Sequence, residues 1–232
     1  MKYKINYAAR VQYELMFGIE ASGKIKEKPL GYLPIGCLER HGDHLPMGLD
    51  AIKAHGVCTI AAKAFGGIVF PPHHYAGIHM MTKEQIAHYT GEWGNIYADN
   101  TAETHLIDII RQLEIAGIKV LVLYSGHHPA SQCEMMKRIA NDFNNKNGIK
   151  IIPFAENMAM KGDHAGMSET SFMLYLDKNL VNMADIKERN YKEHGWSGEH
   201  IPENASASIG EQRMELVLDY LNKEIKKHTG LI

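Results

Sequence analysis

The sequence lacks a large net charge and a long uninterrupted apolar segment. Its 232 residues carry 25 Lys and Arg against 27 Asp and Glu, which gives a formal net charge of -2. Such a balance argues against a surface that binds nucleic acid. No segment is long and apolar enough to cross a bilayer, and residues 1–13 are too polar for a signal peptide. We therefore expect a cytoplasmic protein that binds neither nucleic acid nor membranes.

Cysteine is scarce as well. Cys37, Cys58 and Cys133 are odd in number and show no Cys-x-x-Cys spacing, which favours reduced thiols. We expect no disulfide, and we expect Cys37 to be a buried, inert thiol. Histidine, in contrast, occurs 14 times and clusters at residues 41–44, 73–79, 127–128 and 164. Each cluster falls near the end of a predicted strand or in a loop.

The apolar pattern predicts strands that alternate with helices. Four short apolar runs are typical of strands buried on both faces, at residues 30–37, 67–71, 118–124 and 149–154. Helical segments lie between and after them, at residues 51–64, 101–116, 129–144, 168–176 and 212–227. No internal repeat, low-complexity tract or linker interrupts this order. We therefore predict a single α/β domain over residues 1–232, with a largely parallel sheet flanked by helices on both faces.

Polar side chains follow the first predicted strand. Glu39 and His41 are two residues apart, so in extended backbone they project to the same face while Arg40 points away. Asp50 opens the next helical segment, and the turn residues before it permit its carboxylate to return to the same point. Two carboxylates and an imidazole are suitable ligands for zinc, manganese or iron. In parallel sheets, ligands bind at the carboxyl ends of strands, where these residues are predicted to lie.

Two further segments carry reactive side chains at later strand ends. The apolar stretch 120–123 stops at Ser125 and Gly126 and presents His127 to the cleft. Residues 162–171 follow the fourth predicted strand and lead into a helix whose first turn contains Glu169. The helix dipole favours a carboxylate in that turn. Glu169 is therefore either a helix-terminal charge or a metal ligand.

These segments resemble the signatures of the creatininase (creatinine amidohydrolase) family. The matching patterns are Glu-Arg-His-Gly-x-His-Leu-Pro-x-Gly-x-Asp at 39–50, Gly-His at 126–127, and His-Ala-Gly-x-x-Glu-Thr-Ser at 164–171. A weaker match, Ala-Ser-x-x-x-Gly-Glu, lies at 205–211. The resemblance runs from about residue 30 to 225 in the expected order. It implies an α/β fold, a centre of two divalent metal ions, assembly as a homo-oligomer, commonly a hexamer, and hydrolysis of a non-peptide amide.

The resemblance also implies roles for individual residues. Glu39 and His127 would hold one metal, His41 the other, and Asp50 would bridge both. In creatininase itself a glutamate two places after the strand-end histidine completes the second site, but Pro129 stands at that position here. Glu169 is our candidate for the replacement ligand. This departure, together with residues 80–85 in place of the family's usual Pro-Gly-Thr segment, makes creatinine a poor candidate substrate.

The expected chemistry requires a proton donor in addition to the metals. Metal ions would activate a water and polarise the carbonyl, but the leaving nitrogen of an amide must be protonated before it departs. We predict that His164 supplies this proton. His128 would orient the substrate, and His79 and His44 would line the pocket. The sequence thus predicts a metal-dependent amidohydrolase that acts on a small amide, with cyclic amides and formyl amides as candidates.

Simpler roles and other functions stay open from the sequence. His164 could merely bond Asp163 or the backbone, and Glu169 could be only a helix-terminal carboxylate. The same ligands would support a dinuclear phosphoesterase, but that function needs a basic phosphate clamp, and Arg40 is the only arginine near the motifs. A non-catalytic protein that binds metal or a small molecule is a third alternative.

Overall fold

The computed structural model describes residues 1–91, 94–186, 195–200 and 202–229. Its strands are β1 (Leu30–Ile35), β2 (Ile68–Val69), β3 (Val120–Ser125) and β4 (Lys150–Ala155). They form one sheet in the order β2-β1-β3-β4, and every neighbouring pair is parallel. The helices are α1 (Gly18–Glu27), α2 (Leu49–Phe65), α3 (Lys83–Thr90), α4 (Ala102–Ile115), α5 (Ala130–Asn144), α6 (Met167–Leu176) and α7 (Ala207–Thr229). The predicted parallel α/β fold is confirmed.

Side chains of β3 alternate between two hydrophobic cores. Val120, Val122 and Tyr124 belong to a core that also contains apolar residues of α2, α6 and α7. Leu121 and Leu123 belong to a second core with residues of α1, α4 and α5. Since successive residues of a strand point to opposite faces, both faces of the sheet are covered by helices. This explains the continuous apolar runs in the sequence.

Two helices were not among the predicted elements. Helix α1 buries only Ala21 and Ile25, so its apolar stripe is too sparse to stand out. Helix α3 is eight residues long and begins with a capping box, in which Thr82 and Gln85 each bond the other's backbone N–H. The Thr-x-x-Gln spacing is a sequence signal that would have located α3. The second strand is also shorter than predicted, since Pro71 and Pro72 follow it and lack N–H donors.

The order of the strands creates a crevice at the carboxyl ends of the two central strands, β1 and β3. The chain passes from β1 to β2 on one side, and then returns to place β3 on the other side of β1. Connections therefore leave the carboxyl ends of β1 and β3 in opposite directions. In parallel sheets the crevice at such a switch point is where ligands bind. The segments that follow β1 and β3 are the ones that contain Glu39 and His127.

Within the described ranges, every helix is too short or too polar to span a membrane.

Candidate metal centre

Glu39 and His41 emerge together from the end of β1. Both are almost fully buried, and the Glu39 N–H donates to the Met47 carbonyl at 2.9 Å. His41 Nδ1 lies 2.9 Å from the Glu39 carbonyl oxygen, which can only accept. This contact keeps a proton on Nδ1, so Nε2 is the nitrogen that would bind a metal once its own proton is lost. His41 Nε2 lies 3.2 Å from Asp50 Oδ1.

Asp50 reaches the site from the first turn of α2 because two glycines admit its backbone. A Cβ atom at Gly126, just after β3, would lie 2.1 Å from the Asp50 carbonyl oxygen. A Cβ atom at Gly36, just after β1, would lie 2.6 Å from the Asp50 Cβ. Only glycine at both strand ends lets the start of α2 pack this closely. Asp50 is 1% exposed as a result.

His127 completes a group of four side chains at the ends of β1 and β3. Its Nε2 lies 3.0 Å from the Ile78 carbonyl oxygen and donates a proton there, so Nδ1 is the nitrogen that would bind a metal once its own proton is lost. Nδ1 lies 3.1 Å from Glu39 Oε2 and 3.3 Å from Asp50 Oδ2. The structure therefore brings Glu39, His41, Asp50 and His127 together, as the sequence predicts.

Glu169 turns its carboxylate toward this group and also accepts a hydrogen bond from the backbone just before its own helix. Asp163 accepts hydrogen bonds from the backbone N–H groups of Ser168 and Glu169, at 2.6 and 3.1 Å, and so caps α6. Glu169 Oε2 lies 3.7 Å from His41 Nε2 and accepts from the Ala165 N–H at 2.7 Å. The Ala165 contact is that of a helix-terminal carboxylate, and the position beside His41 is that of a ligand, so the contacts agree with both predicted alternatives.

A buried lysine behind Glu169 was missed in the sequence. Lys53 is fully buried, and its Nζ donates to Glu169 Oε1 at 2.5 Å and to Glu156 Oε2 at 3.1 Å. Tyr124 donates its hydroxyl proton to Glu156 Oε1 at 3.0 Å. Burial alone would lower the pKa of Lys53, but Glu156 and Glu169 outweigh it and raise that pKa. The available signal was a lysine three residues after Asp50 in an apolar helix.

His164 stands at the mouth of the group. Its Nε2 lies 2.8 Å from the Arg40 carbonyl oxygen, so Nε2–H donates there and Nδ1 bears the lone pair. Nδ1 lies 3.4 Å from Glu39 Oε1, and the His164 and His41 rings are 4.5 Å apart. The backbone partner considered from the sequence is thus present, but it engages only one ring nitrogen. The other nitrogen, Nδ1, lies beside Glu39 and in a cluster with His41 and Glu169.

A cavity of about 500 Å³ opens onto these side chains. His79 and His128 both line it. His128 Nε2 is buried, makes no hydrogen bond with any described residue, and lies 4.0 Å from Glu169 Oε1. His44 was expected in the pocket wall, and this is wrong: it is 2% exposed and its Nε2 contacts the Thr170 hydroxyl at 2.9 Å. His44 is instead held in the protein interior by its contact with Thr170.

Opposite charges control the ionisation of the central group. Burial alone would lower the pKa of His41, but Asp50 and Glu169 raise it to about 9. Burial is likewise outweighed at His127, where Glu39 and Asp50 raise the pKa to about 10. Burial would raise the pKa of Asp50, yet His41 and His127 hold it well below its ordinary value. Carboxylates that stay ionised are suitable for binding cations.

The donor atoms fall into clusters whose members lie within 4.8 Å of one another. The clusters are Cys37, Glu39, Asp50 and His127; His41, His164 and Glu169; and His128, Glu156 and Glu169. The first two adjoin through Asp50, whose two oxygens face different clusters. In the third cluster, the Lys53 ammonium contacts the carboxylates of Glu156 and Glu169, so these two groups already have a cationic partner. The nitrogen and oxygen donors of the first two clusters fit divalent zinc, manganese or iron.

The fold and the site together define a parallel α/β protein with metal-ligating side chains gathered at its topological switch point. The sequence model of the creatininase family, described as creatinine amidohydrolase, matches residues 16–225. The chain belongs to the creatininase family. The resemblance drawn from the sequence motifs is therefore confirmed.

Individual relatives agree with this assignment. Creatinine amidohydrolase of Pseudomonas putida is 28% identical over an alignment of 172 positions, and the match covers 65% of this chain and 65% of that protein. A creatininase mutant of Zn-Zn type has a TM-score of 0.76 at 20% identity, covering 94% of this chain and 98% of that one. A structure named Creatininase Mn has a TM-score of 0.73 at 20% identity, with the same coverage. At these identities the structural similarity supports the fold.

Proposed function

We propose that this chain is a metal-dependent amidohydrolase, which cleaves a C–N bond of a small cyclic or formyl amide with two divalent metal ions. The observation that carries the proposal is the arrangement of Glu39, His41, Asp50 and His127. One ring nitrogen of each histidine lies 3.1 to 3.3 Å from the nearest carboxylate oxygens, and the other ring nitrogen donates to a backbone carbonyl. Buried carboxylates and oriented imidazoles of this kind are typical of metal sites.

Each metal position would have its own ligands and share one carboxylate. Glu39 Oε2, His127 Nδ1 and Asp50 Oδ2 would hold the first metal, and His41 Nε2, Asp50 Oδ1 and Glu169 Oε2 the second. Pro129 precedes α5 and has no ligand atom in its side chain. Glu169, 3.7 Å from His41, stands in for the missing glutamate. Zinc, manganese and iron all accept such donors.

The chain's own groups would handle the proton. When bound, two metal ions supply an activated water and polarise the carbonyl oxygen. His164 is held by its bond to the Arg40 carbonyl, so that Nδ1 faces the cavity beside Glu39. In this role Nδ1 takes a proton from the attacking water and delivers it to the leaving nitrogen, which is too basic to depart as an anion.

The cavity favours a small substrate. Its volume of about 500 Å³ lies in the usual range for small-molecule sites. The unpartnered Nε2 of His128 provides a polar contact for a substrate, and His79 forms a side of the cavity. With Pro129 in place of a glutamate, creatinine is not the substrate that we favour. The family resemblance also favours a homo-oligomer, commonly a hexamer, which light scattering would test.

Arg40 does not serve as the phosphate clamp that a phosphoesterase would need. Its guanidinium is buried and donates to Asp43 Oδ1 at 2.5 Å and to the Thr90 carbonyl at 3.3 Å. Arg40 is not among the described residues that line the cavity. We therefore rank the amidohydrolase first. Turnover of an amide would also separate it from a non-catalytic metal-binding protein.

The test is metal content and amide hydrolysis in wild-type protein and in Asp50→Asn. Wild-type protein, stripped with a chelator and reloaded with zinc, manganese or iron, should hold two ions per chain and hydrolyse part of a panel of cyclic amides and formamides. Asp50→Asn should lose both ions and fall to background hydrolysis. Asp142→Asn, an exposed substitution on α5, is the matched control and should behave as wild type. Unimpaired hydrolysis by Asp50→Asn, or a loaded wild type that cleaves no amide, would contradict the proposal.

A further inference from the structure

Cys37 lies against the first metal position. Its side chain is fully buried, and Sγ is 3.2 Å from Glu39 Oε2 and 3.2 Å from Asp50 Oδ2. The ligand atom of His127 belongs to the same cluster. The expected role of an inert core thiol does not account for these two polar contacts.

The local backbone aims the sulfur at the site. Cys37 and Glu39 are two residues apart just after β1, so their side chains project to the same side of the chain. Gly77 leaves the room that the thiol needs, since a Cβ atom there would lie 2.5 Å from the Cys37 Cβ. The contact with both carboxylates follows from this fixed position.

Four of the six distances among these four donor atoms are close to those of a tetrahedral metal site. Sγ, Glu39 Oε2, Asp50 Oδ2 and His127 Nδ1 are separated by 3.2, 3.2, 3.1 and 3.3 Å along the four edges that the contacts define. A tetrahedral zinc site with bonds of about 2.0 Å to nitrogen or oxygen and about 2.3 Å to sulfur needs edges of about 3.3–3.5 Å. The four atoms therefore surround a space of the right size.

Hydrogen bonding alone leaves one of the sulfur contacts unfavourable. A thiol carries one hydrogen, so Cys37 can donate to Glu39 or to Asp50 but not to both. The remaining contact sets sulfur lone pairs against a carboxylate oxygen inside the protein, where such repulsion is weakly screened. A cation shared by all four atoms would turn each of these contacts into an attraction.

We propose that Cys37 is a thiolate ligand of the first metal position, beside Glu39, Asp50 and His127, and that it makes this position selective. The proposal rests on the proposed metal-dependent function. On binding, the thiol proton leaves to solvent and a sulfur–metal bond forms. Soft sulfur favours zinc over manganese or magnesium, which prefer oxygen ligands. The second position, with His41, Asp50 and Glu169, has no sulfur and should discriminate less.

Cobalt(II) loading tests the ligand directly. Metal-free wild-type protein titrated with Co²⁺ should develop the near-ultraviolet charge-transfer absorption of a thiolate–cobalt bond. Cys37→Ser and Cys37→Ala should bind cobalt without that absorption. Cys58→Ala and Cys133→Ala are matched controls, because each removes another buried thiol, and both should retain it. Competition between zinc and manganese should show at least a tenfold loss of zinc preference in Cys37→Ala.

A second measurement uses only wild-type protein, so its result does not depend on whether a variant folds. The X-ray absorption spectrum of zinc-loaded wild-type protein should contain one sulfur neighbour at about 2.3 Å for every two zinc ions. Bound metal with no sulfur neighbour, or a charge-transfer band that persists in Cys37→Ala, would overturn the ligand role and leave the proposed function standing. Failure of wild-type protein to bind any metal would overturn both.

Discussion

His164 is the residue whose two ring nitrogens have different tasks. Nε2–H is held by the Arg40 carbonyl at 2.8 Å, whereas Nδ1 lies in the cluster with the ligand atoms of His41 and Glu169. From this place Nδ1 can carry a proton or bind the second metal. The proton role follows from the needs of amide cleavage, and the two roles differ in a measurable way.

His164→Asn separates those roles. If the imidazole transfers protons, both metal ions should stay bound, while kcat falls about 10²- to 10⁴-fold and KM changes little. The measurements are metal content by mass spectrometry and steady-state kinetics on the best amide of the panel. Loss of one ion per chain would show instead that His164 is a ligand.

Lys53 matters because it neutralises two buried carboxylates at once. Lys53→Met keeps the length of the side chain and removes its charge, which leaves Glu156 and Glu169 without their ammonium partner. Breaking a buried ion pair in this way costs about 3–5 kcal/mol. We expect a matching drop in the free energy of unfolding in urea.

A second substitution checks the cause of that loss. Lys53→Met combined with Glu156→Gln removes one of the two stranded charges, so it should recover part of the lost stability. Should the double variant be no more stable than Lys53→Met, packing rather than charge would explain the effect.

At the scale of elements, the site depends on how closely the start of α2 packs against the ends of β1 and β3. A Cβ atom at Gly126 would meet the Asp50 carbonyl at 2.1 Å, and neither group lies on a flexible side chain. The contact positions the carboxylate that both metals would share. The elements must therefore move apart if this glycine is replaced.

Gly126→Ala should destabilise the protein by about 1–3 kcal/mol, because overpacking forces the backbone to shift. Metal affinity should fall with it, since Asp50 is displaced. Gly23→Ala is the matched control: it lies in α1 with nothing within 4 Å of the added methyl, and alanine suits a helix better than glycine. Thermal unfolding and metal titration measure both effects. A Gly126→Ala protein as stable as wild type would contradict the proposed packing role.

At the scale of the whole molecule, the centre concentrates buried charge that needs compensation in every state. In protein freed of metal, protons on His41 and His127 provide it, because the nearby carboxylates raise their pKa values to about 9 and about 10. The ordinary value for both is 6.5. A group whose pKa is raised by folding stabilises the fold below its unfolded pKa and loses that effect as the pH passes its folded pKa.

Chelator-treated protein should therefore lose stability as the pH rises from 6.5 to 10. Protein with saturating metal should be more stable, by about 2.7 kcal/mol at a metal concentration of 100 Kd, because metal binds the folded state. The stability of the metal-loaded protein should also fall much less between pH 6.5 and 10, because the histidine nitrogens that bind metal then bear no proton. Melting temperature as a function of pH, with and without metal, makes the comparison. Constant stability of the metal-free protein over this range would contradict the proposed role of the two protonated histidines.

The local pattern of the sequence determined the fold class and the candidate ligands nearest the strand ends. Continuous apolar runs identified β1, β3 and β4 because a strand covered on both faces has no polar side. Two-residue spacing placed Glu39 and His41 on one face, and His127 follows β3 directly. These inferences succeed because they depend on periodicity over a few residues. Helix α1 escaped the same reasoning, since it buries only two side chains.

Only the tertiary structure decided which distant groups meet. Lys53, Glu156 and Glu169 lie on three separate elements, and nothing in their spacing shows that one ammonium joins both carboxylates. The same holds for Cys37, whose sulfur meets Asp50 only when α2 packs against the strand ends, and for His44, which bonds Thr170 in the core. Contacts between residues far apart in sequence depend on the packing of whole elements, so local pattern carries no record of them.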